Sequence, residues 1–245
     1  MISMNLELPF GLETAERFDA LYQFISQKFK LRNMDINISG RTFTLLTINS
    51  VDDLLEELSK KPPDDIHITD ERLPYWAEVW PSSLALSEYI MENQRFMPGT
   101  EILELGCGIG LTGMVAQIRG GDLLLTDYQP DALRLAEMNW LLNLGILPKT
   151  LLMDWREPNL ELKFPYIIAS DIIYEERFFE PLLQLFRKVL QPEGHIFLSE
   201  PKRPVAEKFF QILRRRGFYF ERNTVEIDFQ KKEHQIFIYD IIFEQ

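Results

Sequence analysis

The stretch Ile102-Leu-Glu-Leu-Gly-Cys-Gly-Ile-Gly-Leu-Thr-Gly113 decides how the rest of the chain is read. It begins as an apolar β-type run, breaks into glycines at every second position, and resumes as the start of a helix. Glycine permits a tight turn there and lets the backbone touch a ligand that a Cβ would hold off. The helix start beyond it offers unpaired N–H groups to a polar ligand. A dinucleotide loop has the same requirements, and Gly108-x-Gly110-x-x-Gly113 fits the dinucleotide pattern by itself. The loop alone leaves two cofactor classes open.

Outward from the loop, short apolar runs alternate with helical patterns. Strands are expected over 101–105, 123–126, 150–153, 166–170 and 195–199, with helices over 111–119, 131–144, 176–190 and 205–216. Two longer alternating runs, 218–229 and 235–243, joined by the polar Gln230-Lys-Lys-Glu233, predict a closing antiparallel hairpin. Nearly continuous apolar strands alternating with helices predict an α/β fold: a doubly wound, mostly parallel seven-stranded sheet with helices on both faces. In such sheets ligands lie beyond the carboxyl ends of the strands. Chemistry is therefore sought at Glu104–Gly110, Asp127, Asp154–Trp155, Asp171–Tyr174 and Glu200–Pro201.

Upstream, the pattern changes. Residues 13–31 have helical spacing, 35–48 alternate around Ser39-Gly40 like a hairpin, and 51–58 form a short acidic helix before Pro62-Pro63. Residues 1–72 are expected to form an N-terminal extension packed on a main domain of residues 73–245, with a further helix over 82–93.

Two acidic residues bear on the cofactor. Asp127 closes the second strand of the alternation, about 20 residues beyond the loop, where a ribose diol is gripped in either class. Glu104 stands just ahead of the first glycine. A pyrophosphate is repelled by a carboxylate that close, whereas the ammonium of a methionine moiety is attracted.

At this point the chain resembles a family. Ile102 to Gly113, Leu125-Thr-Asp127, Asp154-Trp155 and Ala169-Ser-Asp-Ile-Ile-Tyr174 are similar to successive motifs of class I methyltransferases, nearest to methyltransferase family 16, which contains many protein lysine methyltransferases. Tyr75-Trp-Ala-Glu-Val-Trp-Pro-Ser-Ser83 resembles the tryptophan-bearing stretch ahead of that family's first helix. The likeness spans about residues 73–200, and nothing specific is found in 1–60. It implies a Rossmann-like fold and S-adenosyl-L-methionine as cofactor, leaving S-adenosyl-L-homocysteine as product. It also implies that Glu104, Gly106, Gly108 and Gly110 line the methionine and ribose portions. Asp127 would bind the ribose hydroxyls, Asp154 would meet the adenine amine beside Trp155, and Trp80 would cover the methionine end.

Asp171-Ile-Ile-Tyr174 resembles the Asp-x-x-Tyr motif of the lysine-modifying branch, which implies Asp171 and Tyr174 as the catalytic pair. A lysine with a pKa near ~10.4 is roughly 3.4 units from its neutral form at pH 7, about 4.6 kcal/mol. Desolvation and a neighbouring positive charge lower that cost, while a carboxylate raises it. Asp171 is therefore expected to position and capture the acceptor rather than to deprotonate it. The expected partner is a protein carrying an accessible lysine. A small amine or heterocycle acted on by the same fold and cofactor is the alternative. A nicotinamide-dependent oxidoreductase and a noncatalytic binding module stand behind it.

Composition narrows the classes further. The net charge of −12 opposes nonspecific binding to nucleic acid and favours a cationic partner. No apolar run approaches the ~18 residues of a membrane span, and Met1 to Phe10 lack the basic start and apolar stretch of a signal peptide. The single cysteine, Cys107, forms no intrachain disulfide, so the expected setting is cytoplasmic. Cys107 reads as a small buried residue of the loop. His67, His195 and His234 have no partners at metal spacing, so no metal is expected. No Gly-Lys-Ser/Thr follows the loop and no Gly-x-Ser-x-Gly elbow is present.

Overall fold

A computed structural model describes residues 11–70 and 73–243. The expectation for Met1 to Phe10 lies outside the described residues. The first element is helix α1 (Leu12–Lys28), followed by β1 (Leu31–Ile38) and β2 (Arg41–Ile48), which form a separate two-stranded antiparallel sheet. The helical spacing overran at this point. The helix stops at Lys28, Phe29 turns extended, and Leu31, expected in the helix, opens β1 opposite Ile48. Its apolar side chain suits either element, and pairing with β2 decides the matter. Ser39-Gly40, both with positive φ, make the two-residue turn. Two short helices follow, α2 (Val51–Ser59) and α3 (Ile66–Thr69), then a 3₁₀ turn (Tyr75–Ala77) and α4 (Pro81–Asn93).

The alternating half begins with β3 (Thr100–Leu105), α5 (Leu111–Ile118), β4 (Gly121–Asp127), α6 (Pro130–Leu144) and β5 (Lys149–Leu152). It continues with β6 (Phe164–Ser170), α7 (Phe179–Val189), β7 (Leu190–Glu200), α8 (Pro204–Arg215), β8 (Phe218–Phe229) and β9 (Lys232–Phe243). The seven strands β3 to β9 form one sheet in the order β5-β4-β3-β6-β7-β9-β8. All neighbours are parallel except β9, which is antiparallel to both β7 and β8. The hairpin connection is shorter than the four polar residues suggested. Gln230 and Lys231, both at positive φ, turn the chain, and Lys232 already pairs with Phe229.

Alternate residues of one strand feed opposite faces. Ile102, Ile168 and Phe197 pack with Leu86, Met114 and Trp140 from α4, α5 and α6. Leu103, Ile167 and Leu198 pack with Leu182, Phe186 and Phe209 from α7 and α8. The first of these cores also takes in Phe18, Leu21 and Ile25 of α1 and Phe43 and Leu45 of β2. Two asparagines one turn apart on α6 dock the hairpin. Asn139 Oδ1 accepts from Leu46 N–H at 2.7 Å and its Nδ2 donates to Leu46 C=O at 3.1 Å. Asn143 does the same for Thr44, at 2.9 Å each way. The open edge of β2 is thereby paired along a helix, which removes an exposed ladder. No helix among the described residues is long and apolar enough to cross a membrane.

Candidate active site

At the carboxyl ends of β3, β4 and β6 lies a cavity of about 780 Å³. Its walls include Gly106, Gly108, Asp127, Trp155, Asp171 and Tyr174, together with Trp80 from the segment ahead of α4. Gly106 and Gly108 both take positive φ, 63° and 51°. A Cβ on Gly106 would stand 3.1 Å from Ile172 Cγ2. Gly110, at φ 81°, caps α5 but does not line the cavity; its carbonyl accepts the indole N–H of Trp140 at 3.1 Å. It serves the packing of loop against α6.

Asp127 is only 5% exposed. Its Oδ2 accepts the Gly108 N–H at 3.1 Å and its Oδ1 the Gln129 N–H at 2.9 Å, so it ties the glycine loop to the end of β4. Burial nevertheless pushes its pKa up to about 6, against the pull of those N–H groups. Glu104 is more extreme. At 3% exposure it has one oxygen, Oε2, with no hydrogen-bond partner among the described residues, and burial pushes its pKa up to about 8. Its carboxyl does not line the cavity. It sits behind the loop against α5, where a Cβ on Gly113 would fall 2.4 Å from Oε2.

Asp154 also stands off the main cavity. It faces a small annexe of about 20 Å³ that shares Tyr128, Trp155 and Tyr174 with the larger space. There Arg156 Nε donates to both oxygens of Asp154, at 2.9 and 3.0 Å, while its Nη2 reaches Asp70 Oδ2 at 2.6 Å. Arg177 donates to the Asp70 carbonyl at 3.0 Å and pairs with Glu175 at 2.6 Å. These ion pairs fasten the end of the α3 segment to the loop after β5.

Aromatic rings line the mouth. Trp80 donates its indole N–H to the Tyr75 carbonyl at 2.7 Å, and Tyr75 meets Trp80 and Tyr174 edge-on. Tyr174 in turn packs edge-on against Phe178, which does the same with Trp155. Burial holds the Tyr174 hydroxyl far above its ordinary pKa, so it remains a proton-bearing donor. Asp171 lies one residue beyond β6 in the left-handed region, φ 61°, a conformation that Asp tolerates better than most side chains. Its N–H donates to Ser199 O at 2.9 Å, its Oδ1 pairs with Arg203 Nη1, and its Oδ2 is buried with no hydrogen-bond partner among the described residues.

Sequence reasoning missed several residues that the structure brings to the walls. Arg203, Tyr128 and Tyr75 line the cavity, and Asp70 and Arg156 engage Asp154. A signal existed for Tyr128 and Arg203, since each lies just beyond an expected strand end. None existed for Asp70, which comes from the N-terminal segment 84 residues earlier than Asp154.

The residues fit S-adenosylmethionine on observations independent of motif. The volume lies in the ~300–1,000 Å³ range of small-molecule sites. Glycine backbone forms one wall, an aromatic ring flanks it, and two buried acids, Asp127 in the lining and Glu104 behind it, have no cationic side-chain partner among the described residues.

Comparison with known proteins places these features in a lineage. A family model described as lysine methyltransferase matches residues 60–216. The chain is 31% identical over 156 residues to EEF1A lysine methyltransferase 3 of Mus musculus, covering 61% of this chain and 67% of that protein. It is 31% identical over 133 residues to the electron transfer flavoprotein beta subunit lysine methyltransferase of Mus musculus, covering 54% and 52%. Matches of this kind span about half to two thirds of the curated relatives' length. Among solved structures, the ribosomal protein L11 methylase of Lactobacillus delbrueckii subsp. bulgaricus shares the fold, with a TM-score of 0.52 at 22% identity over 65% of this chain and 77% of that one.

Proposed function

This chain belongs to the lysine methyltransferase family, and from that premise we propose that it methylates a lysine side chain of a protein, using S-adenosylmethionine. The observation that carries the proposal is convergence: Asp171 and Tyr174 open onto the same cavity as Gly106, Gly108 and Asp127. A donor pocket and an acceptor pair thus share one space.

When bound, S-adenosylmethionine supplies an electrophilic methyl group on a sulfonium centre. The protein's share of the work is orientation, desolvation and control of protons. Gly106 and Gly108 present backbone to the methionine and ribose portions, and Asp127 keeps lone pairs for the ribose diol beyond its two backbone bonds. Trp155 flanks the base, with Asp154 approaching the adenine amine from the annexe side. Trp80 covers the methionine end. Glu104 and Gly110 act from behind the wall, Glu104 as a buried countercharge and Gly110 as the packing contact of the loop. On the acceptor side, Asp171 Oδ2 receives one N–H of the incoming amine and the Tyr174 hydroxyl oxygen accepts the other, which leaves the nitrogen lone pair free to face the methyl group. The aromatic mouth strips water from the aliphatic stem of lysine, which favours the neutral, nucleophilic form.

The proposed partner is a protein with a lysine exposed enough to enter this mouth, and the net charge of −12 favours a basic surface around it. A cytoplasmic setting and a boundary near residue 72, with residues 1–72 as an extension of the catalytic domain, belong to the same proposal. Incubating the protein with methyl-labelled S-adenosylmethionine and a cell lysate tests it. A labelled protein band yielding methyl-lysine on hydrolysis, and lost with Asp171→Asn, is the expected result. Label confined to small molecules would move the acceptor to the amine class, and methyl-histidine in the band would replace lysine as the residue modified.

A further inference from the structure

A carboxylate beside the acceptor creates a difficulty. Left alone, it stabilises the ammonium form of the amine and holds the proton that must leave before nitrogen can act. Asp171 is not left alone. The parallel register of β6 and β7 sets Ser170 opposite Ser199, so the segments leaving both strands rise side by side. Asp171 follows the first, and Arg203 follows the second at the start of α8. Their side chains pair, with the Asp171 side chain 8% exposed, and both residues line the cavity.

The pairing is built rather than incidental. The Arg203 N–H donates to Glu200 Oε2 at 2.9 Å, and Pro204 fixes the first turn of α8 directly behind it. Asp171 is pinned by its own N–H to Ser199 O at 2.9 Å. Non-glycine residues with left-handed backbone stand at both strand ends, Asp171 at φ 61° and Lys202 at φ 56°. Strain of this kind persists where the surroundings over-determine a geometry, and it gathers at functional sites.

We propose that Arg203 is a positioning residue that sets the charge of the acceptor subsite: it holds Asp171 by one oxygen, offsets that carboxylate's negative charge, and makes the subsite select a neutral amine over a cationic one. It rests on the assignment of Asp171 to the acceptor side made above. Oδ1 is occupied by the guanidinium, and Oδ2, which has no hydrogen-bond partner among the described residues, is the acceptor left for an amine N–H; it is covered in the empty protein, so a small turn of the side chain presents it to the cavity. Arginine suits the task because its charge persists at any pH the protein meets and its planar fork fixes the carboxylate's orientation.

Two ligands test the assignment without turnover. S-adenosylhomocysteine carries no charge at the sulfur position, whereas sinefungin carries a protonated amine there; both share every other polar group. Calorimetric titration at one pH gives the ratio of their dissociation constants, sinefungin over S-adenosylhomocysteine. Arg203→Gln should lower that ratio by about tenfold, the effect of removing one nearby like charge. Arg203→Lys, which keeps the charge, should leave it near the wild-type value, and Asp171→Asn should raise it. S-adenosylhomocysteine affinity near that of wild type verifies that each variant is folded. A ratio unmoved by Arg203→Gln, or moved equally by Gln and Lys, would overturn the assignment. Wild-type protein that binds neither ligand would overturn the proposed function, and this assignment with it.

Discussion

Glu104→Gln should stabilise the empty protein at neutral pH while weakening its hold on the methyl donor. The folded chain raises the pKa of Glu104 from 4.5 to about 8, chiefly by burial, with Asp127 adding to the rise. For a carboxylic acid raised in this way, the native state keeps a proton that the unfolded state has released. Stability therefore falls as pH rises from 4.5 to 8, by about 1.4 kcal/mol per unit. At pH 7 the accumulated loss is on the order of 3 kcal/mol, and glutamine, which cannot ionise, does not suffer it. In a chain of this size that corresponds to roughly 6–12 °C in melting temperature. The assay is denaturant unfolding of wild type and Glu104→Gln at several pH values between 4.5 and 8. The difference between the two proteins should be smallest at pH 4.5 and widen steadily towards 8. A difference that stays flat across that range would mean that Glu104 is not held neutral in the empty protein, and the account of it as a buried acid that ionises only against the donor's positive charge would fail. Titration with S-adenosylhomocysteine should show the opposite trend, with affinity reduced in the more stable variant.

Asp127, with a pKa raised to about 6, should impose a step on ligand affinity: S-adenosylhomocysteine binding should weaken as pH falls through 6, and calorimetry should find that step missing in Asp127→Asn. Gly113→Ala places a methyl group 2.4 Å from Glu104 Oε2 and 2.7 Å from Leu125 Cδ2, so it should destabilise by about 1–3 kcal/mol in denaturant titration. Asn139→Leu strands the Leu46 N–H and C=O at the docked edge of β2. At about 1–3 kcal/mol per stranded group it should loosen the hairpin, and proteolysis should cut between β1 and β2 before the sheet core is attacked.

The sheet was legible because its signals are local. Apolar strands, glycine breaks and helix caps all report on neighbours in sequence, and the strand ends they define are where the cavity opens. The limits of that legibility are equally physical. Leu31 carries an apolar side chain that suits a helix or a strand, and pairing with Ile48 decides for the strand. The loop glycines were visible as a set, but their division of labour was not. Gly106 and Gly108 meet the cavity, whereas Gly110 meets Trp140 and Ala136 from a helix 20 residues further on. The charge partners were beyond reach for the same reason. Arg203 follows a strand end too, yet nothing in its local sequence says that it pairs with Asp171 rather than with solvent. Asp70 and Arg156 belong to segments that only the docked N-terminal part brings together.

The distribution of charge across the cavity follows from these partners and bears directly on what the site can hold. Glu104, Asp127, Asp171 and Glu200 stand at or just beyond the ends of β3, β4, β6 and β7. Burial raises the pKa of Glu104, Asp127 and Glu200, so each would be more comfortable with a cation nearby. The fold supplies one on a single side. Arg203 pairs with Asp171 and donates its N–H to Glu200, whereas Glu104 and Asp127 are met by backbone N–H groups and by no cationic side chain among the described residues. The glycine-loop side thus holds uncompensated acid, and the Asp171 side is neutralised. A neutral or anionic cofactor would leave the buried acids of the first side unrelieved. A ligand bearing an ammonium and a sulfonium relieves them on binding, and a neutral amine meets the compensated side without a charge to desolvate. That asymmetry predicts that S-adenosylmethionine binds more tightly than S-adenosylhomocysteine, and so stabilises the fold against heat more at equal concentration. Equal stabilisation by the two, measured at concentrations the same multiple of each dissociation constant, is what mass action alone requires at the binding temperature. The excess must therefore appear as tighter binding of the cation, and its absence would show that the buried acids do not sense the charge.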